Sequence, residues 1–324
     1  MTRLTLLGTG GGRFATVTQE RATGGLYLED GMSIHIDPGP GSLVMMRRAK
    51  LDPMRTDGIL VSHCHPDHYT DAEVLLEAMT NGTHTKRGFL GGSRSVLEGD
   101  GTIGPAISAY HRSAVEVVRV LSPGDEFEVG RVAVRATPAS HSDGTTVGFR
   151  IATSNGEVGY IPDTTLTDEV IEANSGVRVL IVPLTRPLRA RIDHHLCTED
   201  AADLVAATQP ELAVLNHLGL KILREDPQMQ AEWIAKKSGV RTVVGEDLMR
   251  IRLDEWLTVK GPHDGRGGGR RSGRGRRRGG RRGGDRRDGH GGREGSERQD
   301  GDAEAGGTGS DDRNGPSTSP SQDG

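Results

Sequence analysis

The sequence predicts a layered α+β domain followed by an unfolded tail. Three observations predict it. Short apolar runs with strand patterning come in an early and a late group, each accompanied by helical segments. That arrangement suits two sheets packed face to face with helices outside. Beyond residue 259 the 324-residue chain has no Val, Ile, Leu, Met, Phe, Tyr, Trp or Cys. A 65-residue segment whose only apolar side chains are two alanines cannot offset the entropy of folding. The domain is therefore placed at 1–259 and a disordered Arg/Gly-rich tail at 260–324.

The elements follow in order. Strand-like runs are expected at 4–7, 26–28 and 33–36, separated by glycine-rich turns, and a buried strand at 59–61. Thr70 and Glu73 have the spacing of a capping box, predicting a helix from there to about Met79. Further strands are expected at 131–135, 147–152 and 158–161, then a helix opened by Thr167 and closed by Gly176. A buried strand at 178–182, a helix at 198–207 and a strand at 212–215 come next. Asp226-Pro227 starts a helix that stops at Gly239, and strands at 241–244 and 248–253 close the set.

Charge divides as the apolar residues do. Residues 1–259 hold 26 Lys/Arg against 34 Asp/Glu, whereas residues 260–324 hold 15 against 11. Within 266–287 there are 11 arginines and one acid, Asp285. Such a block attracts phosphate with little sequence preference, so RNA is the expected partner of the tail. The tail lacks the aromatics that would add base stacking, and a plain solubilising linker is the alternative. Two cysteines, Cys64 and Cys197, are too few for a disulfide framework and suit a reducing cytosol. The N-terminal stretch is too short for a signal h-region, and no run approaches the ~20 apolar residues of a membrane span. A cytoplasmic protein without membrane contact is expected, its oligomeric state left open, a homodimer included.

The chemistry concentrates in Ser62-His63-Cys64-His65-Pro66-Asp67-His68, directly after the buried run 59–61. Three imidazoles and a carboxylate within six residues on a loop leaving a strand can converge on cations. His63 and His65 alternate and can bind one ion, while Asp67 and His68 turn toward a second. Neutral imidazole with carboxylate favours Zn2+, with Mn2+ or Fe2+ as alternatives. Gly8–Gly12 lacks the phosphate-binding fingerprints and the Lys-Ser/Thr of a P-loop, and is read as a tight turn. His35, His84 and His111 have no motif around them and are assigned no role.

His63-x-His65-x-Asp67-His68 resembles the signature of the metallo-β-lactamase superfamily. Leu7-Gly8-Thr9-Gly10-Gly11-Gly12 and Ile36-Asp37-Pro38-Gly39 are similar to that family's first strands and turns, especially in its ribonuclease Z-like and phosphodiesterase branches. The resemblance spans most of residues 1–255. It implies a four-layer αββα sandwich, a site at one edge and two divalent metal ions. It also implies three further ligands: His141, Asp163 bridging both ions, and His217. An aspartate stands where the true lactamases carry a cysteine, which argues against β-lactam cleavage. Asp67 is then also catalytic, orienting a water activated by the ion pair. Asp37 is assigned to holding a ligand imidazole or, equally, to its own turn.

His195, with Leu196, Thr198 and Ala202 after it, resembles the His-x-x-Thr-x-x-x-Ala segment of ribonuclease Z-like enzymes, where the histidine assists the leaving group. Arg186, Arg189 and Arg191 lie just upstream and could hold an anionic substrate or be solvated loop arginines. The chain lacks a Pro-x-Lys-x-Arg-Asn loop and a His-Glu-Ala-Thr segment. The first expectation is a phosphodiesterase or ribonuclease Z-like nuclease. A thioester or lactone hydrolase of glyoxalase II type and a non-catalytic RNA-binding protein remain as alternatives.

Overall fold

The computed structural model describes residues 1–130 and 132–262. Almost all of the expected tail lies outside these residues. Strands β1 (Thr2–Leu6), β2 (Leu26–Glu29), β3 (Ser33–Ile36), β4 (Gly58–Val61), β5 (Phe89–Ser93) and β6 (Val117–Leu121) come first. Then follow β7 (Glu126–Val129), β8 (Val132–Pro138), β9 (Val147–Thr153), β10 (Gly156–Tyr160), β11 (Val179–Pro183), β12 (Leu212–Asn216) and β13 (Thr242–Val244). The last pair, β14 (Arg250–Leu253) and β15 (Leu257–Lys260), returns to the first sheet beside β1. One sheet therefore runs β15-β14-β1-β2-β3-β4-β5-β6 and the other β13-β12-β11-β10-β9-β8-β7.

Side-chain alternation along each strand builds the layers. Leu4 and Leu6 of β1, Leu26 and Leu28 of β2, and Leu60 of β4 face the second sheet. They meet Phe149 and Ile151 of β9, Val179 and Ile181 of β11, and Val214 of β12. The intervening residues Tyr27, Ile59 and Val61 point the other way, onto the helices Ser42–Ala49 and Ala72–Met79. On the far side Leu180, Val182, Ala213 and Leu215 pack under the helices Thr198–Thr208 and Pro227–Ser238. Each fully buried Leu or Ile contributes about 1.5–3 kcal/mol, so truncating Leu60 to alanine would cost about 2–5 kcal/mol. The result is four layers, helices–sheet–sheet–helices, as the family resemblance implies.

Several elements differ from expectation. The Thr70/Glu73 capping box does not form. Thr70 instead closes the single turn Pro66–Tyr69 by bonding the Pro66 carbonyl, and the helix begins at Ala72. Glu73 accepts from the amide of Ser108 at 2.7 Å, so a tertiary contact has claimed the cap. The strand expected at 248–253 is shorter because Leu248 takes a left-handed φ of 69°. Strands β5, β6, β7 and β15 and the helix Gly12–Thr18 had no sequence signal strong enough to register. Arg131, expected to open β8, lies outside the described residues. By contrast, Asp226 caps Pro227–Ser238 by accepting from the amides of Gln228 and Met229, and Gly239 ends it at φ 72°. Among the described residues no helix is long and apolar enough to cross a membrane.

Candidate metal centre

In both sheets the strands nearest the site are parallel: β3, β4, β5 and β6 in one, β10, β11, β12 and β13 in the other. Their carboxyl ends open at one edge, where parallel α/β sheets place ligands. The turn after β4 delivers His63, His65, Asp67 and His68, and the loops after β8, β10 and β12 deliver His141, Asp163 and His217. A hydrogen bond from the Val147 amide to the Ser62 carbonyl, 3.1 Å, ties the two sheets together at this edge.

The seven side chains form two groups whose donor atoms lie within 4.8 Å of one another: His63, His65, His141 and Asp163, and Asp67, His68 and His217. In the first, Nδ1 of His65 is 3.0 Å from His63 Nε2 and 3.1 Å from His141 Nε2. In the second, Asp67 Oδ2 is 3.3 Å from His217 Nε2 and 3.7 Å from His68 Nε2. Asp163 lies between them. Its Oδ2 is 3.8 Å from both His141 Nε2 and His68 Nε2, and its Oδ1 is 3.0 Å from His217 Nδ1.

The surrounding hydrogen bonds fix which nitrogen faces inward. The Asp37 carboxylate accepts from the Ser62 amide and hydroxyl, each at 2.7 Å, from His68 Nδ1 at 2.8 Å and from the Tyr160 hydroxyl at 2.8 Å. With its proton committed to Asp37, the Ser62 hydroxyl can only accept from His63 Nδ1, 2.9 Å away. His141 Nδ1 donates to the His194 carbonyl at 3.1 Å. His63 and His141 thus each turn a bare Nε2 to the centre, and His68, anchored through Nδ1 on Asp37, directs its Nε2 there as well. Asp37 does what a residue behind a ligand does: it orients His68 and, through Ser62, His63.

Electrostatics carry the same pattern. Burial first, then the nearby charge of His68, push His63 well below the usual imidazole range and lower His65 as well. Burial brings His141 to about 4. His68 goes the other way: burial opposes its charge, but Asp67 and Asp37 raise it to about 10. Burial would raise Asp163, yet His217, His195 and His68 hold its carboxyl far below the ordinary value. Asp67 is likewise lowered against its burial by His68 and His217. The Asp67 and Asp163 carboxylates are thus held charged among buried imidazoles, a balance that a metal cation would take over from the His68 proton.

The donor set fits metal ions. Ligands about 2.0–2.1 Å from a tetrahedral ion stand about 3.3–3.4 Å apart, and the spacings here scatter around that. Among the described residues His68 Nε2 is buried with no hydrogen-bond partner, which is costly unless something else binds it. Cys64, between two of the histidines, packs into the apolar layer, and burial pushes its thiol up to about 11. It does not compete as a ligand.

Residues 33–218 match the model of the β-lactamase superfamily domain. The chain belongs to the β-lactamase superfamily. An uncharacterised protein of Methanocaldococcus jannaschii is 43% identical over 250 residues, covering 76% of this chain and 93% of that protein. A ribonuclease Z of a Mycobacterium species is 27% identical over 290 residues, covering 80% of this chain and 99% of its own length. A metallo-β-lactamase-fold protein of Bacillus subtilis superposes with a TM-score of 0.65 at 18% identity, over 79% of this chain and 99% of that one. That last likeness is one of fold.

Within this superfamily fold the other expected residues separate. His195 reaches the centre, its Nε2 3.6 Å from Asp163 Oδ2 and its Nδ1 donating to the Asp193 carbonyl at 3.1 Å. Burial works against its charge, but Asp163 raises its pKa above the ordinary imidazole value. Neighbouring His194 is exposed and contributes only its carbonyl, to His141. Arg191 is bound to Asp200, and the Arg189 side chain is exposed.

The glycine-rich turn does more than turn. The Gly12 amide donates to Asp67 Oδ2 at 2.9 Å and lies 3.2 Å from His217 Nε2. A Cβ on Gly11 would stand 2.1 Å from the His217 ring, and one on Gly39 2.0 Å from the Asp67 carbonyl, so only glycine fits at either place. Ser62, Tyr160 and Thr185, whose Oγ1 is 3.2 Å from His217 Nδ1, are further supports that sequence reading did not single out. Asp143, fully buried, accepts from the Cys64 amide and the Ser95 hydroxyl and fastens the ligand turn from behind.

Proposed function

We propose that the chain is a dinuclear metal-dependent hydrolase of phosphodiesters, RNA or nucleotide-like. The observation that carries this is Asp163 lying between two converging donor groups. His63, His65, His141 and Asp163 would hold one ion, and Asp67, His68 and His217 the other, with Asp163 reaching both. When bound, such a pair lowers the pKa of water toward neutrality and stabilises phosphoryl oxygens. The chain's own residues do the rest. Asp67, fixed by the Gly12 amide, orients the attacking water. His195, open to solvent along one side and favoured in its charged form by Asp163, hands its Nε2 proton to the departing oxygen, a step that contributes about 10²–10⁴-fold. The Mycobacterium relative named a ribonuclease Z supports the phosphodiester class. Zn2+ is the first choice of metal on ligand chemistry.

The test is an assay of metal-reconstituted protein against a chromogenic phosphodiester, a thioester, a lactone and a short RNA. Turnover of the phosphodiester alone is expected. Thioester or lactone turnover without it would replace this reading with a glyoxalase II-like one. We propose in addition that residues 266–287 hold RNA. Because β15 runs to Lys260, the clean truncation is after Pro262. Contact with four or five phosphates gives log K against log salt a slope of about −3, and the truncation should flatten it. Equal RNA binding by both forms at low salt would reduce the tail to a linker.

A further inference from the structure

The helix Gly12–Thr18 starts at the residue whose amide holds Asp67, and it buries only Ala15. Phe14 and Val17, three residues apart and so neighbours on one face, are 71% and 76% exposed. Of the chain's four phenylalanines, Phe89 and Phe149 are buried and Phe127 packs against the core, leaving Phe14 with its ring in solvent. A lone exposed apolar side chain needs no explanation. This one is different because helical Cα–Cβ bonds tilt toward the N-terminus, and that terminus is the metal centre.

Facing it is the segment after β11. A Cβ on Gly12 would lie 3.9 Å from Thr185 Cγ2, so the start of the helix and Thr185-Arg186 adjoin. Among the described residues the Arg186 Nε is buried without a hydrogen-bond partner. The Arg186 amide donates to the Leu196 carbonyl at 3.3 Å, which sets Arg186 alongside His195. Arg191, by contrast, has Asp200. A partly desolvated guanidinium beside a reaction centre, in a domain of net negative charge, calls for an anion from outside.

We propose that this mouth is a nucleotide subsite, with Phe14, backed by Val17, as the platform for a base and Arg186 as the holder of the phosphate charge. An anion and a flat ring on one ligand satisfy both features. Bases of any identity stack on an aromatic ring, so the subsite selects nucleotides as a class over aliphatic phosphodiesters. The inference rests on the phosphodiester reading above for its kinetic arm, and a binding arm stands without it.

The experiment compares thymidine 5′-(4-nitrophenyl) phosphate with methyl 4-nitrophenyl phosphate on metal-reconstituted full-length protein. The leaving group and charge are the same in both. The nucleoside ester should be preferred in kcat/KM by at least about fivefold, the lower end of one base stack. Phe14→Ala should shrink that ratio toward unity through KM, and Phe14→Tyr should keep it. Arg186→Gln should raise KM for both esters, with Arg186→Lys recovering part. A wild-type ratio near one, or a ratio unchanged in Phe14→Ala, overturns the proposal. If neither ester is hydrolysed, the phosphodiester reading fails, and the subsite is read by the Kd of thymidine 5′-monophosphate. A Kd at least about fivefold weaker in Phe14→Ala supports the subsite, and an equal Kd overturns it.

Discussion

The turn 62–69 and the segment 184–197 meet at the same centre but are held differently. In the first, His63 and His68 are buried, their outer nitrogens bonded to Ser62 and Asp37. Asp143 and Asp37 each accept several bonds from behind that turn. In the second, the His195 side chain is 21% exposed, and Arg189 and His194 take left-handed φ values of 60° and 62°. One loop is preorganised for ions whose position must not drift. The other is left open toward the side from which a substrate arrives, and it carries the cationic groups that could meet one.

Breaking the shared residue should have the largest effect. Asp163→Ala removes the carboxylate between both donor groups, so activity should fall to background and metal content should drop. His195→Ala acts on the open segment alone: a loss of about 10²–10⁴-fold with metal content intact, smaller for substrates with good leaving groups. An unchanged rate on a poor leaving group would remove His195 from the reaction. Behind the rigid turn, Asp37→Asn should weaken metal affinity about 10–100-fold. Tyr160→Phe, which removes one of four bonds to Asp37, should do less. Metal titration of the four variants sharpens the contrast, because His195→Ala alone should leave the affinity unmoved.

The smallest effect concerns a histidine outside the centre. His35 is fully buried, its Nε2 on the Gly24 carbonyl at 2.7 Å, and burial lowers its pKa to about 4. The unfolded chain protonates it near 6.5 and the folded chain near 4, so the unfolded state binds more protons between those values. Its contribution to stability is whole above about 6.5 and is lost as pH falls toward 4. His35→Gln keeps a donor for Gly24 and should flatten the acid limb of a stability–pH curve. An unchanged limb would assign acid sensitivity to the ligand cluster instead.

The comparison also explains what was legible in sequence. His63, His65, Asp67 and His68 sit on one turn, so their chemistry is a local pattern behind a recognisable buried strand. His141, Asp163 and His217 are single residues at three strand ends, readable only through the family order that links them. Asp37 was legible as a candidate but not its fourfold role, because Ser62, His68 and Tyr160 lie 25, 31 and 123 residues further along the chain. The Gly12 contribution was invisible, since a backbone amide leaves no side-chain signature. In the fold, the buried strands and the Asp226 cap announced themselves. β5, with two glycines in five residues, and the return of β14 and β15 to the first sheet did not. Pairing across more than two hundred residues is decided by the assembled sheet and not by local propensity.

The central claim is that two donor groups share Asp163 and hold two ions. Elemental analysis of full-length protein, reconstituted with Zn2+ or Mn2+ and freed of loosely bound metal, tests it most directly. The account predicts about two ions per chain, falling to one or none in Asp163→Ala. A reproducible one or fewer in the wild-type chain would contradict it.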